Sequence, residues 1–305
     1  MTADEGSGEE ADDQIGVVVV TMNRCDELSR TLSKIEQLAE VSKVVVVDNG
    51  SSDGTAVMVR TEHPNVDLIS LPRNIGAAAR NIGVRHLATP FVAFLDDDTW
   101  PEPGALSVAS RVLSSHPQVA IVTGHILIGT DGADDPTCVL MSKSPIATPA
   151  SLPGRAVIGF VAGASVVRKD PFIGAGGFAR RAGIGGEEEL LAYDLLDDGW
   201  MILYVPEMVI RHYPSPCRDH RARARVVARN RMRVAWMRRP WSKAIHITIG
   251  EYRNRDRFEP ALPLRDLALL IPALTRRRRL GDSAERLVGQ VEGHGLARLL
   301  VGGEG

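Results

Sequence analysis

The chain runs to 305 residues and 33.0 kDa with 44% hydrophobic residues, enough to bury one large α/β core plus an appendage, or two smaller domains. Its formal net charge of -2, from 36 Lys and Arg against 38 Asp and Glu, excludes a surface built wholly to hold nucleic acid. Cys25, Cys138 and Cys217 lie far apart with no C-x-x-C pair, which disfavours a disulfide framework or a zinc cluster and fits a reducing compartment.

Residues 1–13 are acidic and carry Gly and Ser, without the basic start and apolar core of a signal peptide, so they read as a solvated, disordered tail. From residue 14, short β-branched runs alternate with amphipathic segments, the pattern of a parallel sheet covered by helices on both faces. Strands are expected at 15–20, 43–47, 66–71, 91–95 and 119–123, and their continuous Val runs imply burial on both faces. Helical spacing, with starts marked by Asp, Gly or Pro, occupies 26–39, 54–62, 76–87 and 103–114. The fold class is therefore α/β, a Rossmann-like, doubly wound, mostly parallel sheet.

Ligands of such sheets gather beyond the carboxyl ends of the strands. Four polar loops fall there: Thr21-Met22-Asn23-Arg24, Asp48-Asn49-Gly50-Ser51-Ser52-Asp53-Gly54-Thr55, Pro72-Arg73-Asn74-Ile75-Gly76 and Asp96-Asp97-Asp98. Each has a plain structural reading, the second as a turn with a helix cap and the last as a solvated turn. Three carboxylates at the mouth of an apolar strand nevertheless repel one another unless a cation sits among them, and hard divalent ions take such oxygens. This favours a metal site that holds an anion such as a diphosphate. Asn74, Gly76, Arg80 and Asn81 lie where a loop opens a helix, a setting that favours an anion, and Arg80 can reach it, a neighbouring acid or a plain surface partner.

Residues 131–153, rich in Gly, Pro, Ser and Thr, show no clear period and read as a flexible loop. Glu187, Glu188 and Glu189 occupy the first turn of a helical segment at 190–198, where acids ordinarily serve the helix dipole; the glycines before them let another molecule approach. Residues 204–215 look like two strands ending in a polar loop, with His212 either a hydrogen-bonded structural residue or a ligand. Past Pro216, Arg221, Arg225, Arg229 and Arg233 recur every fourth residue as a basic stripe, with Val226, Val234 and Met237 on another face to pin the helix. A solvated face is the plain reading, and an anionic acceptor or an acidic membrane surface the functional one; Arg276-Arg277-Arg278-Arg279 adds a second cluster. The apolar stretch 261–274 holds Arg265, Asp266 and Pro272 and is too short to span a bilayer.

Taken together, the four strand-end loops resemble those of the family-2 inverting glycosyltransferases of the GT-A fold. The resemblance covers roughly residues 15–215 and rests on the Thr-x-Asn-Arg, the Val-Asp-Asn-Gly-Ser-Ser-Asp-Gly-Thr, the Arg-Asn-x-Gly-x-x-x-x-Arg-Asn and the Asp-x-Asp stretches. It implies that residues 14–128 form the half that binds a nucleotide sugar, residues 129–215 the acceptor half, and residues 216–305 a helical, Arg-rich C-terminal extension. By the same resemblance Thr21 and Asp48 contact the base, Arg73 lies beside it, and Asp97 or Asp96 holds the ribose. The donor-side set is completed by Asn23, Arg24, Asn49, Ser51, Asn74, Gly76 and Arg80.

Asp98 resembles the metal ligand, joined by Asp96 and His212, for a divalent ion, Mn2+ or Mg2+. Glu188, with Glu187 as second choice, resembles the general base, although this chain has Glu-Glu-Glu where Glu-Asp or Asp-Asp pairs are commoner. The implied donors are UDP-, dTDP- or GDP-sugars, and the acceptor is a hydroxyl of a polysaccharide, glycolipid or secondary metabolite. Processive relatives carry Gln-x-x-Arg-Trp and membrane spans, whereas the nearest stretch here is Arg229-Asn230-Arg231-Met232-Arg233. A soluble, cytoplasmic, single-addition enzyme is expected, with peripheral membrane contact as one role for the Arg-rich region and no nucleic-acid partner.

Rival readings have specific weaknesses. A nicotinamide dehydrogenase needs a G-x-G-x-x-G turn where Thr21-Met22-Asn23-Arg24 stands. A sugar nucleotidyltransferase opens with a Gly-rich, Arg-bearing phosphate loop that the sequence lacks. A nucleotide-binding or nucleic-acid-binding protein without turnover fits the fold, and the intact Asp triplet and Glu cluster speak against it.

Overall fold

The structure is a computed structural model in which residues 15–179, 186–214, 220–253 and 271–294 are described, without the side chains of 220–225. Among the described residues ten strands form one sheet, in the order β3 (Asp67–Ser70), β2 (Val41–Asp48), β1 (Ile15–Thr21), β4 (Phe91–Asp96), β9 (Ala164–Arg168), β6 (Val119–Ile128), β10 (Met201–His212) and β5 (Thr99–Pro101), with β7 (Ala133–Asp134) on β6 and β8 (Arg155–Val157) on β10. Strands β1 (Ile15–Thr21), β2 (Val41–Asp48), β3 (Asp67–Ser70) and β4 (Phe91–Asp96) are mutually parallel. Their Val and Phe runs are buried because helices cover both faces. Between them lie α1 (Cys25–Ile35), α2 (Thr55–Glu62), a 3-10 turn at Gly76–Ala79 and α3 (Arg80–His86). A Cβ on Gly83 of α3 would stand 2.6 Å from Val18 Cγ1, so glycine sets how closely that helix rides on β1.

The second half departs from simple parallel winding. β5 (Thr99–Pro101) and α4 (Ala105–Ser115) lead into the long β6 (Val119–Ile128). β9 (Ala164–Arg168) then inserts antiparallel between β4 and β6. β10 (Met201–His212) runs parallel to β6 as one strand, not two, with three residues bulged out between Val205 and Val209. Residues 131–153 are not a wholly unstructured loop. They carry β7 (Ala133–Asp134) and α5 (Pro136–Met141), capped by Asp135 accepting from Thr137 N at 2.7 Å and anchored by buried Cys138 and Met141. β8 (Arg155–Val157), α6 (Lys169–Gly174) and α7 (Glu187–Asp197) complete this half.

The C-terminal extension is helical: α8 (His220–Arg238), α9 (Trp241–Arg253), α10 (Ile271–Leu274) and α11 (Asp282–Gly293). One apolar cluster runs from Ile15 through Leu190 and Leu191 of α7 to Val288 and Val291 of α11, so the extension shares the core of the sheet. Among the described residues no helix is long and apolar enough to cross a membrane.

Candidate active site

Register places Thr21 beside Asp48 at the ends of β1 and β2, both buried, and the loops beyond them are clasped together. Asn23, at φ 54 in the left-handed region, accepts from Ser52 N through Oδ1 at 2.8 Å, while its own N–H donates to Ser51 Oγ at 2.9 Å. Asp48 Oδ1 accepts from Ser51 N at 2.9 Å. Asn49 Oδ1 accepts from Ile75 N at 2.9 Å, and Asn49 Nδ2 donates to Gly76 O at 3.2 Å. Asn74 Oδ1 accepts from Gly76 N at 2.7 Å, and its Nδ2 faces Met22 Sδ at 2.9 Å. Gly50, at φ 89, lets the second and third loops touch, since a Cβ there would lie 3.1 Å from Arg73 Cα. The Arg73 residue itself is exposed. Asp53 accepts from Thr55 N at 3.1 Å and from Cys25 N at 3.2 Å, the first backbone N–H of two helices. The polar atoms of Asp53 thus serve the turn and the helix starts, and Asn23, Asn49, Ser51 and Asn74 spend theirs joining loops.

The acid triplet sits at the mouth of β4, and arginines share it. Arg80 Nη2 pairs with Asp96 Oδ1, and Arg24 Nη1 lies 3.9 Å from Asp98 Oδ2. His212, at the end of β10, brings Nε2 within 3.6 Å of Asp98 Oδ1 because Tyr213 N donates to Asp98 O at 2.9 Å. Asp97 accepts from Thr21 Oγ1 at 2.9 Å, and its pKa is raised to about 7 by burial first and then by Asp98 and Asp96. The repulsion expected within the triplet is thus real, although two guanidiniums already moderate it. Asp98 and His212 stand together, while Asp96 faces Arg80. Among the described residues no cage of three or more Asp, Glu, His or Cys side chains is assembled for a metal.

A turn at 161–163 connects the triplet to the glutamates. Ala162 N donates to Glu188 Oε1 at 2.7 Å. One residue on, Gly163 passes so close that a Cβ would lie 2.6 Å from Asp96 Oδ2, and its carbonyl accepts from Thr99 Oγ1 at 3.1 Å. Thr99 Oγ1 in turn accepts from Asp96 N at 2.8 Å. Burial, then the neighbouring Glu187, raise the Glu188 carboxyl to about 7, against the pull of the Ala162 N–H and Arg80. Glu187 is buried at the same helix start. Glu189 is raised to about 7 by burial and is balanced by Arg231 and Arg239 of the extension, so the three acids divide between two sides of α7. Ile184 and Gly185, which precede them, lie outside the described residues.

The basic stripe is not a solvated face where its side chains are described. Arg229 and Arg233 are half-buried, and Arg233 Nη1 donates to Asn230 Oδ1 at 3.1 Å; the side chains of Arg221 and Arg225 lie outside the described residues. Val234 is buried as expected, but Val226 is exposed. Of the second cluster, Arg278 Nη2 reaches Asp194 Oδ1 at 3.3 Å, and Arg277 Nη2 donates to Arg239 O at 2.8 Å. Asn81, expected in an anion-favouring setting, donates from Nδ2 to Phe178 O at 2.8 Å beneath the Arg80 guanidinium. Sequence reasoning missed Thr99 and Gly163, and also Arg238 and Arg239, which fix α7 to the extension. None of these four carried a local signal.

Comparisons with known proteins agree with this architecture. The chain is 29% identical over 225 residues to a pre-mycofactocin glycosyltransferase of Mycobacterium tuberculosis, which covers 69% of this chain and 44% of the relative, so the chain spans under half of that protein's length. It is 26% identical over 241 residues to an N-acetylglucosaminyl-diphospho-decaprenol L-rhamnosyltransferase of the same organism, covering 67% of this chain and 77% of the relative. Among solved structures, a Pyrobaculum calidifontis mannosyltransferase in complex with GDP-Man and Mn2+ superposes with a TM-score of 0.58 at 21% identity, over 94% of this chain and 78% of that one. GalNAc-T7 with UDP, GalNAc and Mn2+ gives a TM-score of 0.63 at 15% identity, over 94% and 58% of the two chains. These structural neighbours share the GT-A fold. Residues 16–173, just over half of the chain, match the model of Glycosyl transferase family 2, and the protein belongs to that family.

Proposed function

We propose that the protein is a metal-dependent, inverting glycosyltransferase that moves one sugar from a nucleoside-diphosphate sugar to a hydroxyl acceptor. The observation that carries this reading is the short path from Asp96 through Gly163 and Ala162 to Glu188, which gathers donor-side acids and a half-buried base around one turn. In this reading Thr21 and Asp48 meet the base, with Arg73 beside it. Asp97 or Asp96 meets the ribose, and Arg80 and the loop at Asn74 and Gly76 lie along the diphosphate.

Asp98 and His212, with Asp96, suit a divalent ion such as Mn2+ or Mg2+: their donors are carboxylate oxygens and one imidazole nitrogen, and the acids around Asp97 are in excess. A bound divalent cation neutralises charge that grows on the departing diphosphate. Glu188 takes the proton of the acceptor hydroxyl as that oxygen attacks the anomeric carbon from the face opposite the leaving group, and configuration inverts. A carboxyl poised near neutrality suits that task. Glu187 is the second choice of base.

The donor is a UDP-, dTDP- or GDP-sugar, and the acceptor belongs to a polysaccharide, glycolipid or secondary metabolite. The name of one relative, an N-acetylglucosaminyl-diphospho-decaprenol L-rhamnosyltransferase, supports the glycolipid class. The reading places the enzyme in the cytoplasm, in peripheral contact with the membrane through its C-terminal helices.

A panel of sugar nucleotides in a thermal-shift assay, with and without Mn2+, tests it. One donor should raise the Tm only with the metal, Asp98→Ala should remove that shift, and the same donor should be turned over with inversion at the anomeric centre. Failure of every donor to bind or react sinks the reading, and binding without transfer or hydrolysis supports the non-catalytic alternative.

A further inference from the structure

Among the described residues, helix α9 packs on α8 through one face. Ala244 is buried, Trp236 Nε1 donates to Thr248 Oγ1 at 2.9 Å, and Glu251 pairs with Arg231 Nη1 at 2.9 Å. The outward face repeats Trp241, Ile245 and Ile249 at every fourth residue, exposed to 53%, 46% and 47%. Arg277 lies over the Trp241 ring, its Cζ 3.9 Å from the centroid, and α10 immediately before that turn exposes Ile271 and Leu274. Scattered surface apolar residues need no explanation, but a row of this length on one helix does.

The charge of the two segments that carry the row is mostly basic. Residues 241–253 and 271–280 contain Lys243, Arg253 and the run Arg276 to Arg279 against a single acid, Glu251, which is buried in its pair with Arg231. Glu292 offsets Lys243 at 3.1 Å, Asp282 offsets Arg279 at 3.1 Å, and Asp194, Asp198 and Asp197 offset Arg278 at 3.3, 3.6 and 3.8 Å, so the excess that remains rests on Arg253, Arg276 and Arg277. A second copy of the chain would bring this basic rim against itself. A surface of anionic lipid instead offers acyl chains to the apolar row and headgroups to the arginines, and Trp is a side chain that settles at that boundary.

We propose that the exposed face of α9, flanked by α10 and the Arg276 to Arg279 turn, docks the protein on an anionic bilayer. This deepens only the peripheral-contact part of the proposed function, and it moves that contact from the α8 stripe, where Arg229 and Arg233 are half-buried, to α9.

Co-sedimentation of the full chain with phosphatidylcholine vesicles, with and without phosphatidylglycerol, is the test. The expected result is binding to the anionic vesicles alone, weakened by salt. The double variant Ile245→Ser/Ile249→Ser should lower partitioning roughly tenfold or more, and Arg276→Glu should lower it further. A sugar-nucleotide thermal shift, or failing any donor an unchanged Tm, shows that each variant is folded. Trp241→Ala is the second variant if the double one unfolds. Failure to bind vesicles overturns the proposal, as do variants that bind like the parent. Concentration-dependent dimerisation that the double variant removes overturns it in favour of a second copy. A protein that transfers sugar yet ignores vesicles loses this surface alone.

Discussion

Strand β1 buries Val17, Val18 and Val19 completely, and β2 and β4 flank it with equally apolar runs. The C-terminal helices are attached differently. Arg238 Nε reaches Asp194 Oδ1 at 2.6 Å, and Arg239, only 1% exposed, lies between Glu285 at 2.9 Å and Glu292 at 2.7 Å. Apolar burial is nondirectional and tolerates substitution of similar volume, whereas a buried guanidinium needs every partner in place. Helix α7 lies on the seam: Leu190 and Leu191 join the sheet core, while Asp194 and Glu189 answer to the extension. The orientation of Glu188 therefore depends on both kinds of attachment.

The strongest way to break this contrast is Arg239→Met, which leaves Glu285 without its cation and Glu292 with Lys243 alone. A loss of about 3–5 kcal/mol is expected in denaturant titration. A loss below 1 kcal/mol would mean that apolar contacts carry the extension too.

Glu188→Gln tests the seam from the catalytic side. Turnover should fall by about 10²–10⁴ with donor affinity kept. On the proposed mechanism the parent enzyme's kcat should rise with pH through about 7 and level above it, because a base at Glu188 acts only without its proton. A variant with full activity would move the base to Glu187.

Gly163→Ala sharpens the comparison within the sheet half, where tolerance has a local limit. The added methyl would meet an Asp96 carboxylate already held by Arg80, so donor affinity should drop by roughly tenfold while the Tm changes little. Isothermal titration decides, and unchanged affinity would mean that Asp96 moves freely.

The smallest effect is acid loosening of the extension. Burial pushes the Glu292 carboxyl up, but hydrogen bonds from Arg239 and Lys243 win and hold it below its ordinary 4.5. Its stabilising contribution is therefore present above that value and is lost as pH falls through the folded pKa. Hydrogen exchange at decreasing pH should open α11 before β1; simultaneous opening would contradict the contrast.

The difference between the two regions also explains what could be read in advance. Val runs at strand spacing, with turn residues behind them, make the parallel half and its loops legible because neighbouring residues impose the pattern locally. β9 was missed because five residues between a glycine-bearing turn and a short helix carry no period of their own, and its antiparallel place comes from pairing with β4 and β6. The role of the Arg stripe stayed open for a related reason: four-residue spacing tells which residues share a face, but only the partner element decides whether that face meets solvent or another helix.

By itself, the sequence determined the apolar strands, the polar loops at their carboxyl ends, the acid triplet and the acidic start of α7, since each follows from local pattern and residue chemistry. Tertiary structure alone decided that Gly163 and Ala162 bridge Asp96 to Glu188, that Asn49 and Ser51 clasp loops, and that Glu189 turns toward Arg231 and Arg239. Those relations join residues tens of positions apart through directional bonds, and no local period encodes a direction in space.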